Sequence, residues 1–170
     1  LVVETVAVPV TGGTGKPLEL SWRVTNKGTA ASEEQNWIDA VYLSADNAIG
    51  GDTWLGNFPH SGRLNADENY AQVETVTLPA ELTAGQYWMV VVTDSNNQVE
   101  EPGAENNNST LSSAFNVTLS PVPDLVAQDI SIPASANTGQ SILASWVVRN
   151  NGLANANGPW KEQLYLSADG

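Results

Sequence analysis

One stretch of this chain occurs twice. "LVVETVAVPVTGGTGKPLELSWRVTNKG" from Leu1 is matched by "LVAQDISIPASANTGQSILASWVVRNNG" from Leu125. The match pairs Pro9 with Pro133, Gly15 with Gly139, Trp22 with Trp146, Asn26 with Asn150 and Gly28 with Gly152. One residue is then dropped, and "NWIDAVYLSAD" at 36–46 meets "PWKEQLYLSAD" at 159–169. A period of this size means a folding unit used more than once. Both ends of the chain fall inside the repeat pattern, as expected of a piece of a longer tandem array. The pattern divides the chain into a complete unit over 1–119, a short proline-containing linker over 120–123, and the beginning of a second unit over 124–170.

The repeated stretch alternates with a period of two, the signature of a half-buried strand. In "PLELSWRVTN", Leu18, Leu20, Trp22 and Val24 face one way, and Glu19, Ser21 and Arg23 the other. The second copy repeats this with Ile142, Ala144, Trp146 and Val148. "STLSSAFNVTL" alternates through Leu111, Phe115, Val117 and Leu119. "QYWMVVVT" is apolar on both faces and reads as a central strand. Further strands are expected near 1–8, 36–44, 53–58 and 70–78, the last with a bulge. Turn signals such as "TGGTG", "NKGTA", "DNAIGGD" and "DSNN" separate them. About seven short strands with no helical period read as an all-β, antiparallel β-sandwich, followed by a truncated second copy with about three strands.

Composition limits what such a sandwich binds. Acids outnumber bases 19 to 6, for a net charge of −13. That argues against nucleic acid, whose phosphates need Lys and Arg, and against an anionic membrane surface. Cations are the natural ligands of such a surface. No cysteine is present, which excludes disulfides, thiolate metal sites and a thiol nucleophile. A cysteine-free module suits folding after secretion without oxidation. No apolar run approaches about 18 residues, so no membrane-inserted helix is expected. No basic-then-apolar leader opens the chain, which points to a processed chain or an internal piece.

"TDSNNQVEEPGAENNNST" at 93–110 concentrates acid and amide without a single base. Asp94, Asn97, Glu101 and Glu105 could supply oxygens to Ca²⁺, which takes about six to eight of them from carboxylates, amides and carbonyls. Turn chemistry accounts for the same residues, because Asp and Asn make Asx-turns and tolerate left-handed backbone. A second acidic loop, "SADNAIGGDTW", holds Asp46 and Asp52. It lacks the spacing of a helix–loop–helix calcium site, and a glycine-rich connection explains it as well.

"NKGTA" after a strand, "TLPAELTAGQYWMVVVTD" and above all "DSNNQVEEPGAENN" resemble the CARDB module, the cell-adhesion-related domain found in bacteria. Asp94, Asn97, Val99 and Glu101 fit its Asp-x-x-Asn-x-Val-x-Glu pattern loosely, with Glu100 as the other choice for the acid. Glu105, Asn106 and Asn107 stand where its Glu-x-Asn-Asn follows, with Asn106 directly after the acid. The resemblance covers residues 1–118 well and 124–170 as a truncated copy. It implies an immunoglobulin-like sandwich repeated in large surface or secreted proteins, and no catalytic activity.

No catalytic residue emerges. His60, the one histidine, sits in "NFPHSGRL", which reads as a loop, and no G-x-S-x-G elbow accompanies it. No spacing singles out a carboxylate pair for glycoside hydrolysis. Among the six tryptophans, Trp22 and Trp146 read as core, and Trp37 and Trp160 match on the strand before "YLSAD". Trp54 and Trp88 are open to two readings, packing or stacking on a sugar ring. Asn-x-Ser/Thr patterns at 107–110 and 116–118 matter only in a glycosylating cell.

The expectation is a non-catalytic structural or adhesive repeat module of a large extracellular or cell-surface protein. Its partners would be neighbouring repeats or other copies of the same chain, or a surface glycan or protein. Strand completion between repeats or chains could build a fibre. The alternative is a carbohydrate-binding or accessory module of a secreted hydrolase.

Overall fold

The structure is a computed structural model and describes residues 1–168. Asp169, which ends the second "YLSAD" match, lies outside the described residues. The chain forms two compact units, Leu1–Ser120 and Pro121–Gly170. The first contains β1 (Val2–Ala7), β2 (Thr11–Gly13), β3 (Pro17–Thr25), β4 (Asn36–Ser44), β5 (Thr53–Ser61), β6 (Asn69–Thr77), β7 (Gly85–Val92), a 3₁₀ turn (Glu105–Asn107), β8 (Ser109–Leu111) and β9 (Phe115–Thr118). One sheet has the order β1-β3-β6. The other runs β2-β9-β7-β4-β5, with β8 also on β7. This is an all-β, immunoglobulin-like two-sheet arrangement.

The alternation of β3 becomes burial. Leu18, Leu20, Trp22 and Val24 are buried, and Glu19 and Arg23 are exposed. They meet Trp37, Val41 and Leu43 of β4, Tyr87, Met89 and Val91 of β7, and Phe115 and Val117 of β9 in one core cluster. Trp22 sits edge-on to Phe58, centroids 5.5 Å apart. β7 pairs with β4, β8 and β9, which makes it the central strand of its sheet.

Four details differ from the sequence reading. β2 pairs with β9 in parallel, so the sandwich is not wholly antiparallel. "TGG" reads as a turn, yet Gly12 lets this short strand approach closely: a Cβ there would lie 2.8 Å from Leu78 Cδ1. The run 109–119 breaks into β8 and β9, because Ser112 turns its hydroxyl to accept from Met89 N at 2.9 Å. β6 has no bulge; it pairs residue for residue with β3 from Thr77 to Asn69. Its blurred pattern comes from half-buried Gln72 and Glu74 on its inward side. The irregularities fall instead in β1, between Val3 and Thr5, and between β4 and β5 at Val41/Tyr42.

The second unit contains β10 (Leu125–Ser131) and β11 (Ser145–Asn150), paired antiparallel. That is two strands where about three are expected. Residues 159–168 form no strand. In the first unit the matching β4 is held between β5 and β7; among the described residues the second unit supplies neither. Its apolar side chains stay open, with Ile130 63%, Leu143 83% and Leu166 98% exposed. Among the described residues no helix is long and apolar enough to cross a membrane.

Candidate functional site

The acidic segment leaves the end of β7. Thr93 and Asp94 are still buried, so the chain must turn at once to reach solvent. Asp94 adopts φ 47° and Asn97 φ 51°, left-handed values that short polar side chains tolerate. Asp94 Oδ1 accepts from Gln98 N at 2.7 Å and Oδ2 from Val99 N at 2.9 Å. Its carbonyl accepts from Asn97 N at 2.9 Å. Val99, buried in the core cluster, pins the far side of the turn. The chain then folds back. Glu101 N donates to Glu105 Oε1 at 2.8 Å, and Ala104 N donates to the Glu101 carbonyl at 2.8 Å.

The result brings Asp94, Glu101 and Glu105 together, one carboxylate oxygen of each lying within 4.8 Å of the others. The Leu1 ammonium pairs with Glu101, whose Oε2 is buried without a hydrogen-bond partner. Burial raises the Asp94 carboxyl above its ordinary range, and Glu105 adds to this; the Gln98 and Val99 amides pull the other way. Burial likewise lowers the Leu1 amine, against the pull of Asp94 and Glu105. Each Asp94 oxygen spends one lone pair on the turn and keeps another free, so turn chemistry and cation binding are compatible at this residue. Asn97 serves the turn through its backbone, and its side chain is exposed. Asp46 and Asp52 join no such group among the described residues. Asp46 Oδ1 accepts from Ala48 N at 3.1 Å, and Asp52 Oδ2 from Gly50 N at 2.9 Å, as expected of loop capping.

A second polar cluster escapes the sequence reading. Asp39 is fully buried and accepts from Trp22 Nε1 at 2.7 Å, Thr93 Oγ1 at 2.8 Å and Tyr70 Oη at 2.8 Å. Trp37 Nε1 donates to Tyr70 Oη at 3.0 Å. Burial raises the Asp39 carboxyl, with the three donors opposing, and burial also pushes the Tyr70 phenol upward. The signal was present: Asp39 shares parity with Trp37, Val41 and Leu43, so an acid stood on an inward face. His60 lies in β5, not in a loop, because β5 extends past Phe58 to pair Trp37 with His60. Its ring stacks between Trp37, 4.1 Å away, and Tyr70, 3.9 Å away. Nε2 lies 3.0 Å from the Gly62 carbonyl, an acceptor only, so Nε2 carries a proton and donates. No nucleophile and base are paired here; the cluster ties β3, β4, β5 and β6 to the segment that follows β7.

Beside Leu1 lies a cleft of about 650 Å³, lined by Leu1, Lys27, Gly28, Glu33, Glu101 and Asn107 among others. The family model for CARDB matches residues 1–111. The chain belongs to the CARDB family. CARDB is a family of non-catalytic domains.

A solved CARDB domain from Pyrococcus furiosus, described as in complex with di-metal ions, is 22% identical to this chain. That match covers 69% of this chain and 86% of the other, with TM-score 0.49. The solution structure of the same domain is 23% identical, covering 69% and 92%, with TM-score 0.46. A β-glucosidase from Listeria innocua in complex with isofagomine is 14% identical, covering 68% of this chain and 16% of the other, with TM-score 0.42. No curated protein matches in sequence. In this CARDB domain the outer face of the larger sheet carries a lateral row. Trp54 stands opposite Tyr42, Tyr42 opposite Val90 and Val90 opposite Leu111. Trp54 is 58% exposed, with its Nε1 donating to Asn57 Oδ1 at 3.0 Å.

Proposed function

We propose that this chain is a stretch of a structural, adhesive array of CARDB repeats in a large extracellular or cell-surface protein. The supporting observation is a contrast within one chain. Residues 1–120 close a sandwich core, while the matching sequence after Leu125 leaves its apolar side chains in solvent. In such an array the second unit completes its sandwich with further residues of its own chain or with strands of another copy, the latter through backbone hydrogen bonds and alternate side chains. Head-to-tail completion propagates into a filament unless it closes. Sedimentation velocity across a concentration series tests this. Growing oligomers whose formation is blocked by Trp146→Asp support the reading; a strict monomer at every concentration overturns it.

The same proposal gives Asp94, Glu101 and Glu105 a stiffening role as Ca²⁺ ligands. Extracellular modules bind Ca²⁺ with dissociation constants of about 10⁻⁴ to 10⁻³ M. At ten times that constant the stabilisation is about 1.4 kcal/mol, a rise in melting temperature of roughly 3–6 °C. Melting in EDTA and in about 10 mM CaCl₂ checks it. The rise should vanish in Glu105→Gln, and equal midpoints for the parent chain remove the metal from the proposal.

A second reading is carbohydrate binding, favoured by the exposed Trp54 beside Asn57 and in register with Tyr42. A glycan array with Trp54→Ala as control separates it from a purely structural role: signal lost in the variant supports it.

A further inference from the structure

The two copies of the repeated stretch hold the same turn. Gly28 N donates to Asn26 Oδ1 at 2.9 Å, and Gly152 N to Asn150 Oδ1 at 3.0 Å. Asn26 Nδ2 donates to the Ala30 carbonyl at 2.8 Å, and Asn150 Nδ2 to that of Ala154 at 2.7 Å. In the second unit this turn has an occupant. The segment Val122–Asp124 lies along it as an extended chain. Asp124 N donates to Asn150 Oδ1 at 2.9 Å. Asn151 N donates to the Asp124 carbonyl at 2.7 Å, and Leu153 N to that of Val122 at 3.1 Å.

The occupant also explains a glycine. Gly152 has no positive φ, so its backbone does not require glycine. A Cβ there would press on Val122 O and Asp124 N and lie 2.7 Å from Pro123 C. At the matching Gly28 a Cβ would meet only its own turn, Asn26 Oδ1 at 3.0 Å and Ala30 O at 3.9 Å. The space that Val122–Asp124 fills in the second unit corresponds in the first to the cleft beside Leu1, bordered by Asn26, Lys27, Gly28, Thr29 and Ala30. Gly28 and Ala30 are exposed there, whereas Gly152 and Ala154 are half-covered.

We propose that this cleft is the seat of an extended, proline-containing segment running into Leu1, of the chemistry of Val122–Pro123–Asp124. Its acceptors would meet the Lys27 and Thr29 amides, and its last amide would reach Asn26 Oδ1. Proline suits the occupant because its position gives no amide to the turn and its ring pre-sets an extended chain. Each repeat then clamps the chain that leads into it, so the linker belongs to the repeat that follows. The inference rests on residues 125–168 being a second copy, but not on assembly into filaments.

The test places Pro-Val-Pro-Asp ahead of Leu1 in the full chain, with Gly-Ser-Gly-Ser as a control that removes the same terminal charge. Amide exchange is followed by NMR at Lys27 and Thr29. The proline-containing extension should slow both by about tenfold or more over the control, and Gly28→Ala should cancel most of that gain. Equal exchange in the two extended chains overturns the proposal. So does protection that appears without the extension and grows with protein concentration, which would make a second copy the occupant.

Discussion

Asp39 is the side chain on which most of the first unit's polar economy turns. A carboxylate with no cation beside it is costly to bury, and three donors offset that cost. Asparagine offers one acceptor oxygen and two donor hydrogens, so Asp39→Asn sets an N–H against one of these donors. The expected loss is about 1–3 kcal/mol in urea unfolding, with an unchanged m-value. Trp22→Ala removes both a donor and a large core side chain, at about 3–5 kcal/mol. His60 gives the pH dependence. Burial lowers its folded pKa below the ordinary 6.5, so the unfolded chain binds the proton first. Stability is therefore full above about pH 6.5 and falls as pH drops from there toward the folded value. Asp39 and Asp94 act in the opposite sense, because their raised folded values make the ionised forms costly. That cost is relieved as pH falls through those values. Urea unfolding at about pH 7.5 and pH 5.5 should show a drop in the parent chain that His60→Phe flattens.

The elements show how one sequence pattern gives two outcomes. β3 and β11 carry the same alternation, but β3 lies between β1 and β6 in a sheet whose inner face is covered. Among the described residues β11 has β10 alone, and Trp146 finds its hydrogen-bond partner in Glu162, 2.6 Å from Nε1, outside any sheet. A two-stranded ribbon is marginal by itself, and the segment Val122–Asp124 laid across its far end is a third point of support. Gly152→Ala should release that segment through backbone overlap. Amide exchange at Asn151 and Leu153 should then accelerate by about tenfold or more, while β4 and β7 exchange as before. Unchanged rates would mean that the turn yields instead of the segment.

Across the chain, burial is lopsided. Every residue of the core cluster lies within 1–120, and the second unit contributes exposed aliphatic side chains instead. A chain ending at Ser120 is expected to keep the parent's denaturant m-value to within about 15%, because m follows the surface exposed on unfolding. Limited proteolysis of the full chain should leave a resistant fragment with the bounds of the first unit. An m-value that falls well beyond that margin would show that residues 121–168 bury surface in solution. On filament formation those residues should become the ones that gain protection.

Alternation in "PLELSWRVTN", the unbroken apolar run of "QYWMVVVT" and the glycine- and asparagine-rich turns were local, so sequence alone gave the strand class, the inward faces and the repeat. The gathering of Asp94, Glu101 and Glu105 was half-legible: the residue types were visible, but only the Asp94 turn and the Val99 anchor bring their oxygens together. The Asp39–Tyr70–Trp37–His60 cluster joins residues from three strands of two sheets, and no single window contains it. Parallel pairing of β2 with β9 depends on a contact between the two ends of the first unit, where the absence of a Gly12 side chain matters only once Leu78 and Leu18 are in place. The open face of the second unit was likewise set by neighbours. A strand's own residues decide which side is apolar, and only the tertiary structure decides whether anything covers it.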